Sequence, residues 1–363
     1  MKMISSYALE KDDDKKNLDS LDSLKLIMSF FIVAVHKNPL GEYGYLRYPL
    51  MRAAVPVFFI ISSFLFWKKH FSIDASERSD HLIHFVKRNL QLYFFWFIVL
   101  LPFTLYMRDY FANGLLSGLF LIIKSFLLQS TFPASWYIMA LLIGVLISCC
   151  IKNDWILLSL GIVCYMFSCL CTNYIGLIYE TRFCDFLISS EIIHVYNSFP
   201  VGIMFIAFGK ILANPKRQYI IRGGYYRIEQ RKNLSIGFVL LAILGVLLYF
   251  EQYLITLYHL QKNAANDCYL LMPFFSVCLV LVFLNIDASL PNALFIRKFT
   301  TIQYCMHMVV GSLLNITMEH RIGNELLHGM TVFFLTIIIC FITALIINTL
   351  ERRKYFRWLK YSH

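Results

Sequence analysis

The sequence predicts an all-α polytopic membrane protein of about ten transmembrane helices. Three observations carry that expectation. The 363 residues are 59% hydrophobic and only 15% charged, against about 25% charged in soluble domains. The apolar residues fall in long runs rather than being mixed with polar ones, which suits a bilayer better than a soluble core. The cations gather in alternate connecting segments, as the positive-inside rule requires of a multipass chain. The many aromatics, Phe 33 and Tyr 22, suit lipid-facing rings and interfacial belts.

The elements follow in order. Residues 1–21 form a polar N-terminal tail containing Lys11-Asp12-Asp13-Asp14-Lys15-Lys16. The first apolar run has no small-residue cleavage site and is expected to act as an uncleaved anchor. Spans are expected at 22–37, 53–67, 90–107, 135–151, 154–172, 197–213, 235–255, 268–285, 300–317 and 329–349. The stretch 115–128 is shorter and carries Lys124, so it reads as an interfacial or re-entrant helix, or as an eleventh span. Loop charge decides between these. With ten spans and a cytoplasmic start, the inside segments include 68–89 (Lys68, Lys69, Arg78, Lys87, Arg88) and 214–234 (Lys216, Arg217, Arg222, Arg227, Arg231, Lys232). The tail 350–363 adds Arg352, Arg353, Lys354, Arg357 and Lys360. The outside loops are poor by comparison, with Arg182 alone in 173–196, Lys262 alone in 256–267 and Arg321 alone in 318–328. An eleventh span would invert every later loop.

The net charge of +11 is thereby assigned to membrane topology, and no nucleic-acid partner is expected. Cys149, Cys150, Cys164, Cys169 and Cys171 lie in apolar segments without zinc-type spacing. They read as small membrane-helix residues, and no metal site is expected. Outer-loop histidines such as His194, His259, His320 and His328 lack i, i+4 pairing and carry no role.

Within the first span, Lys25 and His36 stand eleven residues apart, about 16 Å along a helix. An ionisable pair on one membrane helix is costly without a partner or a function. The bland alternative makes Lys25 a snorkelling residue and His36 an interfacial one. Asp22 either neutralises Lys25 or caps the helix. His307 lies deeper in its span, where it either lines a ligand site or is a satisfied core histidine. Tyr304, one turn earlier, shares its face. Arg47 and Arg52, in the first outer loop beside Glu42, either position an acceptor or are simply solvated.

The segment Leu21-Asp22-Ser23-Leu24-Lys25, ten residues, then His36 resembles the opening of the integral-membrane acyltransferase three family, which includes bacterial O-acetyltransferases of surface polysaccharides. The likeness continues in chain order. Val55-Pro56-Val57-Phe58-Phe59-Ile60-Ile61-Ser62-Ser63-Phe64-Leu65 is similar to the family's Pro-x-Phe-Phe-x-x-Ser-Gly-Phe-Leu. Phe85, Lys87, Arg88, Tyr93 and Trp96 resemble its basic run into an aromatic helix. Ser135-Trp136-Tyr137 resembles the start of a later helix, and Thr300 through Tyr304 to His307 its Ser-x-x-x-Tyr-x-x-His. Two positions depart from the pattern. Lys25 replaces an Arg, which loses the bidentate fork, and Ser63 replaces a Gly.

The resemblance implies transfer of an acetyl group from cytoplasmic acetyl-CoA to a hydroxyl of an envelope glycan or lipid-linked sugar, in the bacterial cytoplasmic (inner) membrane. His36 would be the general base. Lys25, Lys87 and Arg88 would meet the donor's phosphates, and Asp22, Arg47, Arg52, Trp136, Tyr304 and His307 would line or support the site. Succinyl is a second candidate acyl group. An alternative is a permease for a small metabolite such as an amino acid. Paired Gly or Pro breaks should mark such a transporter; Pro102 and Pro273 are candidates but do not form a matched pair. A third reading is a catalytically inert scaffold.

Overall fold

The structure, a computed structural model, describes residues 2–363 except 42, 45–47, 108, 109, 113, 129, 191, 216–226, 263–266, 287, 319 and 320; side chains are described from residue 18 onward, except 48, 107, 128, 193 and 227–233. Among the described residues it is built from helices and contains no strand. Those residues form thirteen α-helices: α1 Lys2–Lys37, α2 Tyr48–Met51, α3 Ala54–Ser72, α4 Arg78–Met107, α5 Leu115–Leu128, α6 Trp136–Cys150, α7 Asp154–Leu170, α8 Arg182–Ser189, α9 Phe199–Ala213, α10 Arg227–Leu257, α11 Met272–Leu284, α12 Ala293–Met318 and α13 Glu325–Leu350.

Each expected span coincides with a helix. Five helical stretches are long and apolar enough to cross a membrane, at Pro49–Ser72, Arg78–Tyr106, Arg182–Ala213, Leu234–Leu257 and Glu325–Leu350. Helices α6, α7 and α11 are apolar but shorter. Helices α1 and α12 are long but carry charge within their length, from Lys25, His36 and Lys37 in one and from Arg297 and Lys298 in the other. The stretch 115–128 is one helix, α5, that packs on α6 and exposes Leu116 and Phe120.

Helix α1 runs unbroken from Lys2 into the first expected span and buries Asp19, Ser20 and Leu21. The C-terminal segment folds as a 3-10 stretch, Lys354–Ser362, and buries Leu359 and Ser362. It docks on α4, where the Trp96 indole N–H donates to the Ser362 carbonyl at 2.9 Å.

Local signals explain the helix starts. Asn153 accepts from Trp155 N at 2.9 Å and Ile156 N at 3.4 Å to cap α7, and Asn324 accepts from Leu327 N at 2.9 Å to cap α13. Pro273 lies in the first turn of α11, where its missing N–H costs nothing. It therefore forms no mid-span break. Pro102 sits inside α4, so the two prolines remain unmatched.

Helix α9 is the centre of the bundle, buried on nearly every side by α3, α6 and α7. Helix α1 lies against α12, α3 and α11. Close approach of α3 and α9 rests on Gly209, where an added Cβ would sit 2.5 Å from the Ile60 carbonyl and 2.6 Å from Ser63 Cβ. The Ser63 hydroxyl, in turn, donates to the Ile206 carbonyl at 2.7 Å. The contact that a glycine at position 63 would have allowed is thus provided from the opposite helix. Helices α10 and α13 turn apolar faces outward, as lipid-facing helices do.

The connecting segments sort to two ends. At one end the starts of α4 and α12 meet the C-terminal stretch, and the end of α9 meets the α6–α7 connection. There Lys298 pairs with Glu351, and the Lys210 ammonium donates to the Ser148 and Ile151 carbonyls, each at 2.8 Å. At the other end Arg52 pairs with Asp267. Glu251 there accepts from Tyr174 Oη at 2.6 Å, Leu270 N at 2.5 Å and Leu271 N at 3.0 Å. The first end collects segments expected inside, and the second collects segments expected outside.

Candidate functional site

The first cluster lies where the C-terminal end of α1 packs on the middle of α12. The imidazoles of His36 and His307 face one another with centroids 5.3 Å apart and planes tilted by 38°. His36 is exposed at the end of its helix, while His307 is fully buried. His307 Nδ1 lies 2.8 Å from the Tyr304 carbonyl and 3.1 Å from the Gln303 carbonyl. Carbonyl oxygens only accept, so Nδ1 carries the hydrogen and donates to both. Nε2 then holds a lone pair, and it is buried without a hydrogen-bond partner among the described residues. One turn earlier, the Gln303 amide nitrogen donates to the Ser29 carbonyl at 3.0 Å, and its own amide oxygen is likewise buried and unpartnered. Two vacant acceptors one turn apart are expensive in an apolar bundle and are suited to receiving a hydroxyl or amide donor.

Aromatic residues extend this cluster. The Tyr304 hydroxyl donates to the Ala134 carbonyl. Ala134 has φ 67, a left-handed conformation that costs a non-glycine residue about 1–3 kcal/mol. Its turn leads into α6, whose Tyr137 ring lies 5.3 Å from Tyr304. Tyr137 Oη and Ser62 Oγ share a hydrogen bond of 3.1 Å, and Trp136 packs against Phe59 at 6.1 Å. Four of the five motifs legible in the sequence therefore meet through contacts at this one place.

The second cluster lies at the other end of α1. Asp22 is not a helix cap, because α1 begins twenty residues before it. Its carboxylate is buried and receives Arg297 Nε at 2.6 Å, with the Lys25 ammonium at 3.6 Å. Arg88 adds positive charge near Lys25. Beside this group lies a cavity of about 410 Å³ lined by His84, Lys87, Arg88, Gln91, Lys360, Tyr361 and His363. Burial holds the His363 imidazole below its ordinary value, against the raising influence of Glu351 and with the lowering influence of Lys298 and Arg88. A cavity of this charge fits phosphate groups.

The structure thus brings His36, His307, Tyr304 and Trp136 to one cluster, and Asp22, Lys25, Lys87 and Arg88 to the other. Arg52 stands apart, on Asp267. Arg47 lies outside the described residues. Arg297 went unnoticed in the sequence, although the need of a buried Asp22 and Lys25 for a further charge was a signal for it. Lys37 stood out in the sequence only as part of the short Lys37-Asn38-Pro39-Leu40 segment after His36, which kept the permease reading open, and not as a site residue. It is buried beside the histidine pair, 3.4 Å from Ser312 Oγ and 3.5 Å from the Met308 carbonyl. Among the described residues, no three His, Cys, Asp or Glu side chains converge as a metal site would need.

Fold and site together define a helical membrane protein with two imidazoles packed against one another between α1 and α12. The chain belongs to a known family: it matches the acyltransferase domain over residues 18–345, the family of membrane O-acyltransferases. That match spans every motif and supports acyltransferase activity, and it gives the permease reading nothing. No curated protein and no solved structure matches the chain.

Proposed function

We propose that the protein transfers an acetyl or similar short acyl group from cytoplasmic acyl-CoA to a hydroxyl of a cell-envelope glycan or lipid-linked sugar. On this reading it crosses the bacterial cytoplasmic membrane ten times with both termini inside. The observation that carries the reading is the vacant Nε2 lone pair of His307 beside the exposed imidazole of His36. A proton acceptor in a membrane interior, already set in one tautomer, is wasted unless a proton moves there.

The division of labour follows from the two clusters. The donor's phosphates meet Lys25, Lys87, Arg88 and Arg297 at the cytoplasmic mouth. Its thin acyl-bearing arm runs along α1, where the separation of Lys25 and His36 is about 16 Å, half the hydrocarbon thickness. The acceptor hydroxyl approaches from the outer side. His36 removes its proton as the oxygen attacks the thioester carbonyl, with the His307 imidazole packed against it. The loss of the arginine fork at position 25 is offset by Arg297, which supplies a guanidinium to the same carboxylate.

The test is thiol release from acetyl-, succinyl- and butyryl-CoA by purified protein in nanodiscs, with and without hydroxyl-bearing glycan acceptors. The reading expects acceptor-stimulated release that falls at least a hundredfold in His36→Ala. A folded His36→Ala variant with undiminished transfer would overturn it.

A further inference from the structure

A lysine, Lys37, is buried beside the histidine pair. Lys37 is only 6% exposed. Its ammonium has two long contacts, Ser312 Oγ at 3.4 Å and the Met308 carbonyl at 3.5 Å, and among the described residues no carboxylate pairs with it. An ammonium has three donors, so at least one remains to be used. Burying it costs several kcal/mol, and the fold makes room for it deliberately. Gly311 stands where any side chain would collide with the lysine stem: an added Cβ would lie 2.6 Å from Cδ and 2.9 Å from Nζ. Met308 and Ser312 follow His307 on the same helix, and Lys37 follows His36 on the other. The cation therefore stands at the seam that holds both imidazoles.

We propose that the Lys37 ammonium is the catalytic residue that stabilises the oxyanion of the acyl transfer, a role that rests on the acyltransferase reading above. The acceptor oxygen bonds to the thioester carbonyl carbon while His36 takes its proton. The carbonyl π pair moves onto oxygen, and Lys37 faces that new negative charge. When the pair returns, the carbon–sulfur bond breaks. The thiolate leaves and recovers the proton from the His36 imidazolium, so ester and thiol are formed and no charge is left over. A fixed cation in a water-poor site stabilises a developing oxyanion far more than it does the neutral thioester, so its contribution falls on the chemical step.

Three variants test this: Lys37→Met, which keeps the stem and removes the charge; Lys37→Arg, which keeps the charge; and Gly311→Ala, which pushes the stem aside. The expected result for Lys37→Met is a fall in kcat of about 10²–10³, with KM for acetyl-CoA within twofold and an unchanged melting temperature. Lys37→Arg restores about a tenth of the activity or more, and Gly311→Ala lowers kcat without touching either end of the donor. A lysine that merely pins α1 to α12 gives the opposite split, a lower melting temperature with kcat intact, and that overturns the proposal. Should Lys37→Met fail to fold, kcat in Gly311→Ala decides: loss supports the role, and wild-type turnover overturns it. Wild-type protein that transfers no acyl group to any hydroxyl sinks the acyltransferase reading itself, whereas active wild type with active Lys37→Met sinks only this role.

Discussion

Replacing Asp22 with Asn removes one charge and almost no volume, so its effect isolates the electrostatics of the inner mouth. The Asp22 side chain is 3% exposed and holds two cations. Removing one partner of a fully buried ion pair costs about 3–5 kcal/mol, because the remaining charge is left without compensation. Two features lower that figure here. The Arg297 side chain is 48% exposed, so water takes over much of its solvation. The Lys25 side chain is 16% exposed and is left beside Arg88 and Arg297 with no counter-charge. About 2–3 kcal/mol is therefore expected for Asp22→Asn, most of it from Lys25. Arg297→Gln leaves Asp22 with Lys25 and is expected to cost about 1 kcal/mol. In the double variant Lys25 no longer faces Arg297, so the combined loss is smaller than the sum of the two single losses by about 1 kcal/mol. Thermal unfolding of the four proteins in one detergent measures all of this. An Asp22→Asn protein as stable as wild type, or a cycle that is strictly additive, would refute the reasoning.

Four further outcomes follow from the geometry. Tyr304→Phe strands the Ala134 carbonyl at its strained turn and is expected to destabilise by about 1–3 kcal/mol in the same melting assay. Gly209→Leu is expected to prevent assembly of α3 on α9, seen as loss of monodisperse protein in size-exclusion chromatography, while Ser63→Gly costs only the hydrogen bond to Ile206, about 1 kcal/mol. Lys87→Gln and Arg88→Gln are each expected to raise KM for acyl-CoA about three- to tenfold with kcat nearly unchanged, since both act on the donor's head and not on the reacting carbon. The lowered His363 value means that the folded chain takes up that proton less readily than the unfolded one. The stability it contributes is complete above the unfolded value of about 6.5 and is lost as pH falls below it. His363→Gln therefore flattens the difference in melting temperature between pH 7.5 and pH 5.5.

Much of this was legible in the sequence because membrane helices announce themselves. The runs that became α3, α4, α10 and α13 could be read from hydropathy alone, and loop cations grouped the segments that the structure gathers at each end. Lys25, His36 and His307 were visible as ionisable residues in apolar text, since each carries its cost locally. Pairings between helices were not visible, because no local rule links position 36 to position 307. The Asp22 carboxylate looked like a cap while the start of α1 was set by hydropathy; the helix begins earlier, at Lys2. Arg297 was hidden among ordinary inside cations. Lys37 was hidden by its neighbours, since a lysine after the last apolar turn normally snorkels to water, and only the close passage of Gly311 shows that this one turns inward. Ser63 looked like the loss of a close contact because its compensating residue, Gly209, lies on another helix.

The central claim is that His36, backed by His307, activates a hydroxyl for attack on an acyl thioester. The most direct measurement is transfer of radiolabelled acetyl from acetyl-CoA into envelope glycan by inverted membrane vesicles, comparing wild type, His36→Ala and His307→Leu at equal folded protein. The account predicts label in the glycan with wild type, none above background with His36→Ala, and a fall of at least tenfold with His307→Leu. Full labelling by His36→Ala would contradict it.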